Sequence, residues 1–502
     1  MKIEYKELKG LPSLAWCAIM TKGEEVMNAL VGRMVECRED GFESGIWDGE
    51  FEKQDFHTAT YGCLTGCKST EWGGVFITPT HMQEYLFAVK RDDKLYVSNS
   101  MPFVLLESGE RLDADYYDYE YDLNSTMLGY ERCHRSTPLR GGNKLMIFRG
   151  CRVSVDKELN IKEERQNHRF PMGNFAEYKA SVLGVMDRMV KNAQSPARKH
   201  QYGLITTISR GYDACASSVL AHEVGCDTSL SFIAPAKYLK DDGREIAKTV
   251  GYKNILTGDA DEFKQNEEFL EAEEGCTGDA GGNVSSYCFE KYTEGKIVFG
   301  GARGDSMWER LHSNVNDNDD FTDGNSLAQA SVSIEPHLRN NTIAVHVPLI
   351  GCNQWTDTAR ISNSEEMKPW VVRERYDRPI ARRIVEEAGV GRDEFGRAKM
   401  GAGITMHYET KKTIGRKMSK KSYADFIRFS NGLKRNRWKE FCNDIRYYSS
   451  EYPDYVNFVF NKLHLKLRIH KKTGWKSSPT TQLLILWATE TMIKKYQIYT
   501  QQ

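Results

Sequence analysis

Short apolar runs broken by glycine, asparagine and aspartate fill the first third of the chain. Residues 73–78, 85–90, 94–98 and 144–148 are β-branched or aromatic runs bounded by turn formers, and they predict strands in a mostly β region. Residues 91–93, Arg-Asp-Asp, predict a hairpin turn, and residues 140–143, Arg-Gly-Gly-Asn, a loop before the next strand. The tyrosine- and acid-rich stretch 116–122 reads as a solvated loop. The period then changes. Asn174 is placed to cap a helix in which Phe175, Tyr178, Val182, Val185, Met186, Met189 and Val190 share one face.

Beyond that helix, strand and helix patterns alternate. Residues 202–209 read as an apolar strand, 214–224 as a helix, 229–234 as a strand and 241–250 as a helix. Residues 251–255 lead into a further sheet edge, and 297–301 form a strand running into glycines. Such alternation predicts a parallel α/β sheet. The acidic, glycine-rich residues 258–282 read as loop, and 314–325, dense in aspartate and asparagine, as a flexible insertion. Residues 483–496 predict an apolar helix suited to docking on the rest.

Length and charge add bounds. A chain of 502 residues exceeds what one core usually organises, so two or three domains are expected. Lys and Arg total 69 against 70 Asp and Glu, for a net charge of -1, which gives no whole-protein argument for a polyanionic partner. Locally, residues 411–476 hold eighteen basic against five acidic residues. The aromatics within them, Phe426, Phe429, Trp438, Phe441, Tyr447, Tyr448, Phe458 and Phe460, recur at helical spacing and read as the core of a small helical unit. RNA stays open as a partner of this basic region.

The twelve cysteines are scattered, and the closest pair, Cys63 and Cys67, fits neither a zinc knuckle nor a Cys-x-x-Cys site. They read as reduced thiols of a cytoplasmic protein, and Cys17 as a small core residue. The charged start lacks a signal-peptide pattern, and no run reaches the ~18 apolar residues of a membrane span, so no membrane insertion is expected.

A strand, a glycine-bearing turn and a helix present backbone amides and a positive dipole end, which suits an anion such as a nucleotide phosphate. Ser209, Arg210, Gly211, Tyr212 and Asp213 stand at such a junction. This segment resembles the Ser-Gly-Gly-x-Asp-Ser pyrophosphatase loop of the asparagine synthetase and β-lactam synthetase family. Further landmarks follow in order. Residues 241–251 resemble the family's acidic-start helix ending in glycine, and 300–308 its Gly-rich loop with a second metal-binding aspartate. Residues 378–389 with 395–399 resemble the closing helix and lysine loop. Arg210 stands where the family has glycine and Ala214 where it has serine.

The resemblance implies an α/β fold with three parts. Residues 1–170 would form a β-rich, degenerate glutaminase-like domain of the amino-terminal-nucleophile type. Residues 171–405 would form a parallel-sheet ATP pyrophosphatase domain of the adenine-nucleotide α-hydrolase-like class, and 406–502 a helical basic extension. It implies ATP and Mg²⁺ as cofactors. Ser209, Arg210, Gly211 and Asp213 would bind the nucleotide, with Arg210 forking onto phosphate oxygens, Asp213 and Asp305 would hold the metal, and Lys399 would neutralise the departing pyrophosphate. The activity implied is an ATP-dependent carbon-nitrogen ligase that adenylates a small carboxylate for attack by an amine or ammonia. Because the first cysteine is Cys17, glutamine hydrolysis is not expected, and ammonia would come free or from a partner protein that supplies it or carries the substrate. Two alternatives stay open: a non-catalytic nucleotide-binding relative, favoured by Arg210 and Ala214, and a pyrophosphatase-loop enzyme acting on RNA, favoured by residues 411–476.

Overall fold

A computed structural model describes residues 1–233, 241–268, 270–278, 284–310, 334–372, 376–397, 406, 409–451, 457, 462 and 478–501. The chain is mixed α/β, with two largely antiparallel sheets in its first third and a parallel sheet after them. The first sheet orders its strands Lys2–Glu7, Val26–Val31, Trp16–Thr21, Lys94–Ser98, Leu86–Arg91, Lys144–Phe148, Ser136–Pro138. The second runs Ile161–Arg165, Cys151–Asp156, Gly73–Ile77, Gly62–Thr70, Gly41–Trp47, Glu36–Arg38. The turn expected at 91–93 is a tight hairpin in which Arg91 pairs with Lys94 and Asp92 takes a left-handed φ of 54°.

Trp16 locks the two sheets face to face. Its ring meets Phe42 and Phe76 of the second sheet at 4.9 and 6.2 Å, and its Nε1 donates to Thr65 Oγ1 at 3.0 Å, so the buried indole nitrogen is paired. Cys17 is fully buried on the opposite face of the same strand, as its apolar setting predicts.

The expected helix forms as Phe175–Ala193. Asn174 accepts from the Glu177 amide at 3.0 Å, and all seven apolar residues of the expected face are buried. It packs against the second sheet through a core that includes Ile46, Tyr61 and Cys63. Arg198 adds to this junction, fully buried, donating to the Gly45 carbonyl at 3.1 Å and stacking on Phe51 at 4.2 Å.

All pairings in the third sheet are parallel, in the order Asn254–Gly258, Thr228–Phe232, Gly203–Thr207, Lys296–Gly300, Ile343–His346. Alternate residues of Lys296–Gly300 face two cores. Ile297 and Phe299 meet the helix Tyr212–Glu223, while Val298 lies against Ile205, Leu230 and Phe289.

Two stretches expected to be loop, the second of them solvated, are packed instead. Within 258–282, residues Leu270–Gly275 are a buried helix. Its acids are counter-ions: Glu273 accepts from Arg339 at 3.0 Å and Lys495 at 3.0 Å, and Glu271 accepts from the Ser419 amide and the Ser422 hydroxyl. Within 116–122, Tyr119 is buried against Ile485 and Leu486, and Tyr116 donates to Asp122 at 2.6 Å. Both stretches lie beneath the final helix, Pro479–Gln501, which also packs on the helix Met101–Ser108. Of the aromatics in the basic region, Phe426 and Tyr447 are buried and Phe429 half-buried, whereas Trp438, Phe441 and Tyr448 are exposed. Phe458 and Phe460, and the acidic insertion 314–325, lie outside the described residues. Among the described residues no helix is long and apolar enough to cross a membrane.

Glu335 joins three parts of this core. Its carboxyl accepts from Ser100 at 2.7 Å and from Tyr496 at 2.7 Å, and burial raises its pKa to about 7 in spite of both hydroxyls. Unfolded, it would ionise near about 4.3, so between that value and the folded one the native state binds more protons and loses stability as pH rises. Glu335→Gln is therefore expected to flatten this dependence and to gain on the parent at pH 8 relative to pH 5. Denaturant unfolding at the two pH values checks this, and an unchanged difference would contradict it.

Candidate functional site

The strands of the parallel sheet reverse their order between Gly203–Thr207 and Lys296–Gly300. From the first of these the chain steps outward one way through two further strands, and from the second it steps the other way. Diverging crossovers open a crevice beyond the carboxyl ends of such neighbours, the usual ligand position in open α/β sheets. Residues 208–211 leave one of these ends and 301–303 the other. The loops expected from the sequence to carry chemistry therefore stand side by side.

Their approach is too close for side chains. A Cβ on Gly301 would lie 2.4 Å from the Asp213 carbonyl carbon, and one on Gly304 would lie 2.5 Å from Asp213 Oδ1. Asp305 follows Gly304 on the short helix Gly304–Met307, which brings the second expected aspartate to the same end of the sheet. Arg303, just before it, holds a left-handed φ of 70° and donates from Nε to Gln83 of the sandwich at 2.9 Å. A non-glycine residue kept in that region marks a loop fixed by its surroundings.

The helix Tyr212–Glu223 begins at Gly211, which has no side chain to cap it. The positive end of its dipole thus opens toward the crevice. Ser209 Oγ accepts from the Gly211 amide at 3.1 Å, closing the turn on itself. Asp241 Oδ1 accepts from the Arg210 amide at 2.9 Å, and burial raises the Asp241 pKa against the opposing hydrogen bonds. The Arg210 guanidinium, expected on phosphate, donates instead to the Glu394 carbonyl at 2.9 Å, while the Arg210 carbonyl accepts from the Gly396 amide at 2.8 Å. Residues 394–396 therefore rest on the loop. Lys399, four residues beyond Phe395, lies outside the described residues.

Tyr212 anchors this arrangement. It is fully buried, its ring meets Phe395 at 5.7 Å and Tyr376 at 5.3 Å, and its hydroxyl takes a hydrogen bond from Arg382.

Asp213 is engaged by a residue for which the sequence suggested no role. Arg378 Nη1 lies 2.6 and 2.5 Å from its two carboxylate oxygens. The same guanidinium reaches Glu309 at 3.6 Å from Nε and lies 4.9 Å from the Tyr376 ring centroid. Burial opposes its charge, but Asp213, Tyr376, Asp305 and Glu309 outweigh that and raise its pKa. A cation bound by both oxygens of Asp213 would need the place Nη1 holds, so Asp213 as arranged offers no bidentate metal site. Among the described residues no three His, Cys, Asp or Glu side chains gather closely enough to hold an ion.

A separate small cleft lies between the sandwich and the parallel-sheet region, with Met82, Gln83, Tyr130, Arg165 and Asn353 in its wall. The Arg303–Gln83 hydrogen bond links its rim to the glycine loop. No known family model matches the chain, and a search of curated proteins finds no significant match.

Gly304→Ala is expected to destabilise the protein by about 1–3 kcal/mol, since the added carbon meets a carboxylate held by Arg378. Gly184→Ala, on an open helix face where only the end of Arg188 lies near, is the matched control and is expected to gain up to about 1 kcal/mol. Equal unfolding midpoints for the two variants would contradict the close approach.

Proposed function

We propose that the chain binds ATP on the loop at Ser209, Arg210 and Gly211 and adenylates a small carboxylate, releasing pyrophosphate and leaving the acyl group to an amine or ammonia. One observation carries this: two glycine-bearing loops converge where the parallel sheet reverses its strand order. In this reading the helix beginning at Tyr212 directs its positive end at a phosphate, and the Gly211 amide and Ser209 hydroxyl exchange their mutual bond for phosphate oxygens. Arg210 positions the 394–396 segment, which precedes Lys399 in the chain. The lysine stabilises charge developing on the leaving group. The reading keeps the asparagine-synthetase-like resemblance, with its degenerate glutaminase-like domain and basic extension, as its framework.

A second reading has specific support. Arg210 and Asp213 are both held by protein partners, Glu394 and Arg378, which suits a protein that binds nucleotide without turning it over.

ATP binding by calorimetry, together with ATP–pyrophosphate exchange over a panel of amino acids and sugar acids, separates the two. Binding with exchange is expected, binding without exchange on any acid would favour the second reading, and no binding would remove both. In an exchanging system, Lys399→Met is expected to leave ATP affinity unchanged and to slow exchange by about 10² to 10³. Equal exchange rates would take Lys399 out of the site.

A further inference from the structure

We infer that Arg378 is the resident cation of this site, so that nucleotide binding does not depend on a divalent ion at Asp213. The inference rests on the reading that the loop at Ser209 takes a nucleotide. Its basis is positional. Nη1 bridges both oxygens of Asp213 at 2.6 and 2.5 Å, the place of a bidentate cation, and only 3% of the Arg378 side chain is exposed. Arginine keeps its charge at any physiological pH, so this positive centre is permanent.

The guanidinium is also fixed mechanically. Arg378 immediately precedes the helix Pro379–Glu387, whose Ile380, Ala381, Ile384 and Val385 are fully buried in the core shared with the helix Tyr212–Glu223. Proline at the first helical position limits the backbone there. On the far side, Glu309 at 3.6 Å and the Tyr376 ring at 4.9 Å close around it. For a metal to reach both oxygens of Asp213, the guanidinium would have to leave its place between Asp213 and Glu309. Unpairing a buried ion pair in this way is strongly unfavourable.

Asp213 therefore serves as the anchor of a cation. A magnesium ion arriving with ATP is carried by the phosphates, its usual main ligands.

The test measures a fluorescent ATP analogue binding to the full chain in EDTA and in Mg²⁺, with Mn²⁺ alone as a paramagnetic probe of the empty protein. The parent is expected to bind the analogue with affinities within about fivefold of each other, a difference of about 1 kcal/mol. A larger dependence on Mg²⁺ that Asp213→Asn abolishes would overturn the inference, whereas one that survives the substitution belongs to metal on the phosphates and upholds it. No binding in either buffer would instead overturn the functional reading. The Mn²⁺ arm reads Arg378 independently of nucleotide. Arg378→Gln is expected to gain a Mn²⁺ site that Asp213→Asn removes, whereas the parent and Arg378→Lys, which keeps the charge, gain none. A parent Mn²⁺ site lost in Asp213→Asn would show that the metal already reaches Asp213 and overturn the inference. Thermal unfolding checks that each variant is folded.

Discussion

The ion pair between Asp213 and Arg378 is the constraint on which the site depends. It joins the first turn of the helix Tyr212–Glu223 to the residue before Pro379–Glu387, two segments 165 residues apart in the chain. Both groups lie largely out of water, where an unpaired charge is costly and a paired one holds its partner's position closely. With Asp213 fixed, Gly301 and Gly304 can close on its backbone and carboxylate. Tyr212, one residue earlier, is held between Tyr376 and Phe395. The switch point of the sheet thereby receives two loops whose spacing is set by contacts rather than by their own stiffness.

The same principle operates under the carboxyl-terminal helix. Glu273, Arg339 and Lys495 form a buried cluster, and Glu271 accepts from Ser419 and Ser422 at the start of the next helix. Burial pushes the Glu273 pKa up, but the two cations overcome this and hold it below the ordinary value. Lys495, beyond the basic stretch, thus matches an acid that precedes it by more than two hundred positions. On the helix Arg437–Glu451, by contrast, Trp438, Phe441 and Tyr448 lie exposed beside Arg437 and Lys439.

What the sequence made legible was local. The helix Phe175–Ala193 could be placed with its cap because Asn174 and seven apolar residues carry the signal within about five turns. The alternation of strands and helices was visible for the same reason, as were the glycine turns at Gly211 and Gly301. The stretch 116–122 looked solvated because charge alone suggests exposure, and the acids at 271–274 looked like loop because the partners of Glu273, Arg339 and Lys495, lie far along the chain. Asp241 and Arg378 were visible only as members of motifs. Their roles appear only once the fold brings Asp241 to the Arg210 amide and Arg378 to Asp213. The aspartate that most resembled a metal ligand proved to be the half of an ion pair that a linear reading cannot show.

The central claim is that the crevice between the loops at 208–211 and 301–303 is a nucleotide site. A crystal structure of the chain with a non-hydrolysable ATP analogue tests this most directly. The account predicts phosphate density within hydrogen-bonding distance of the Gly211 amide and Ser209 hydroxyl, with Arg378 still on Asp213. Density for the nucleotide at another location, with Ser209 still bonded to Gly211, would contradict it.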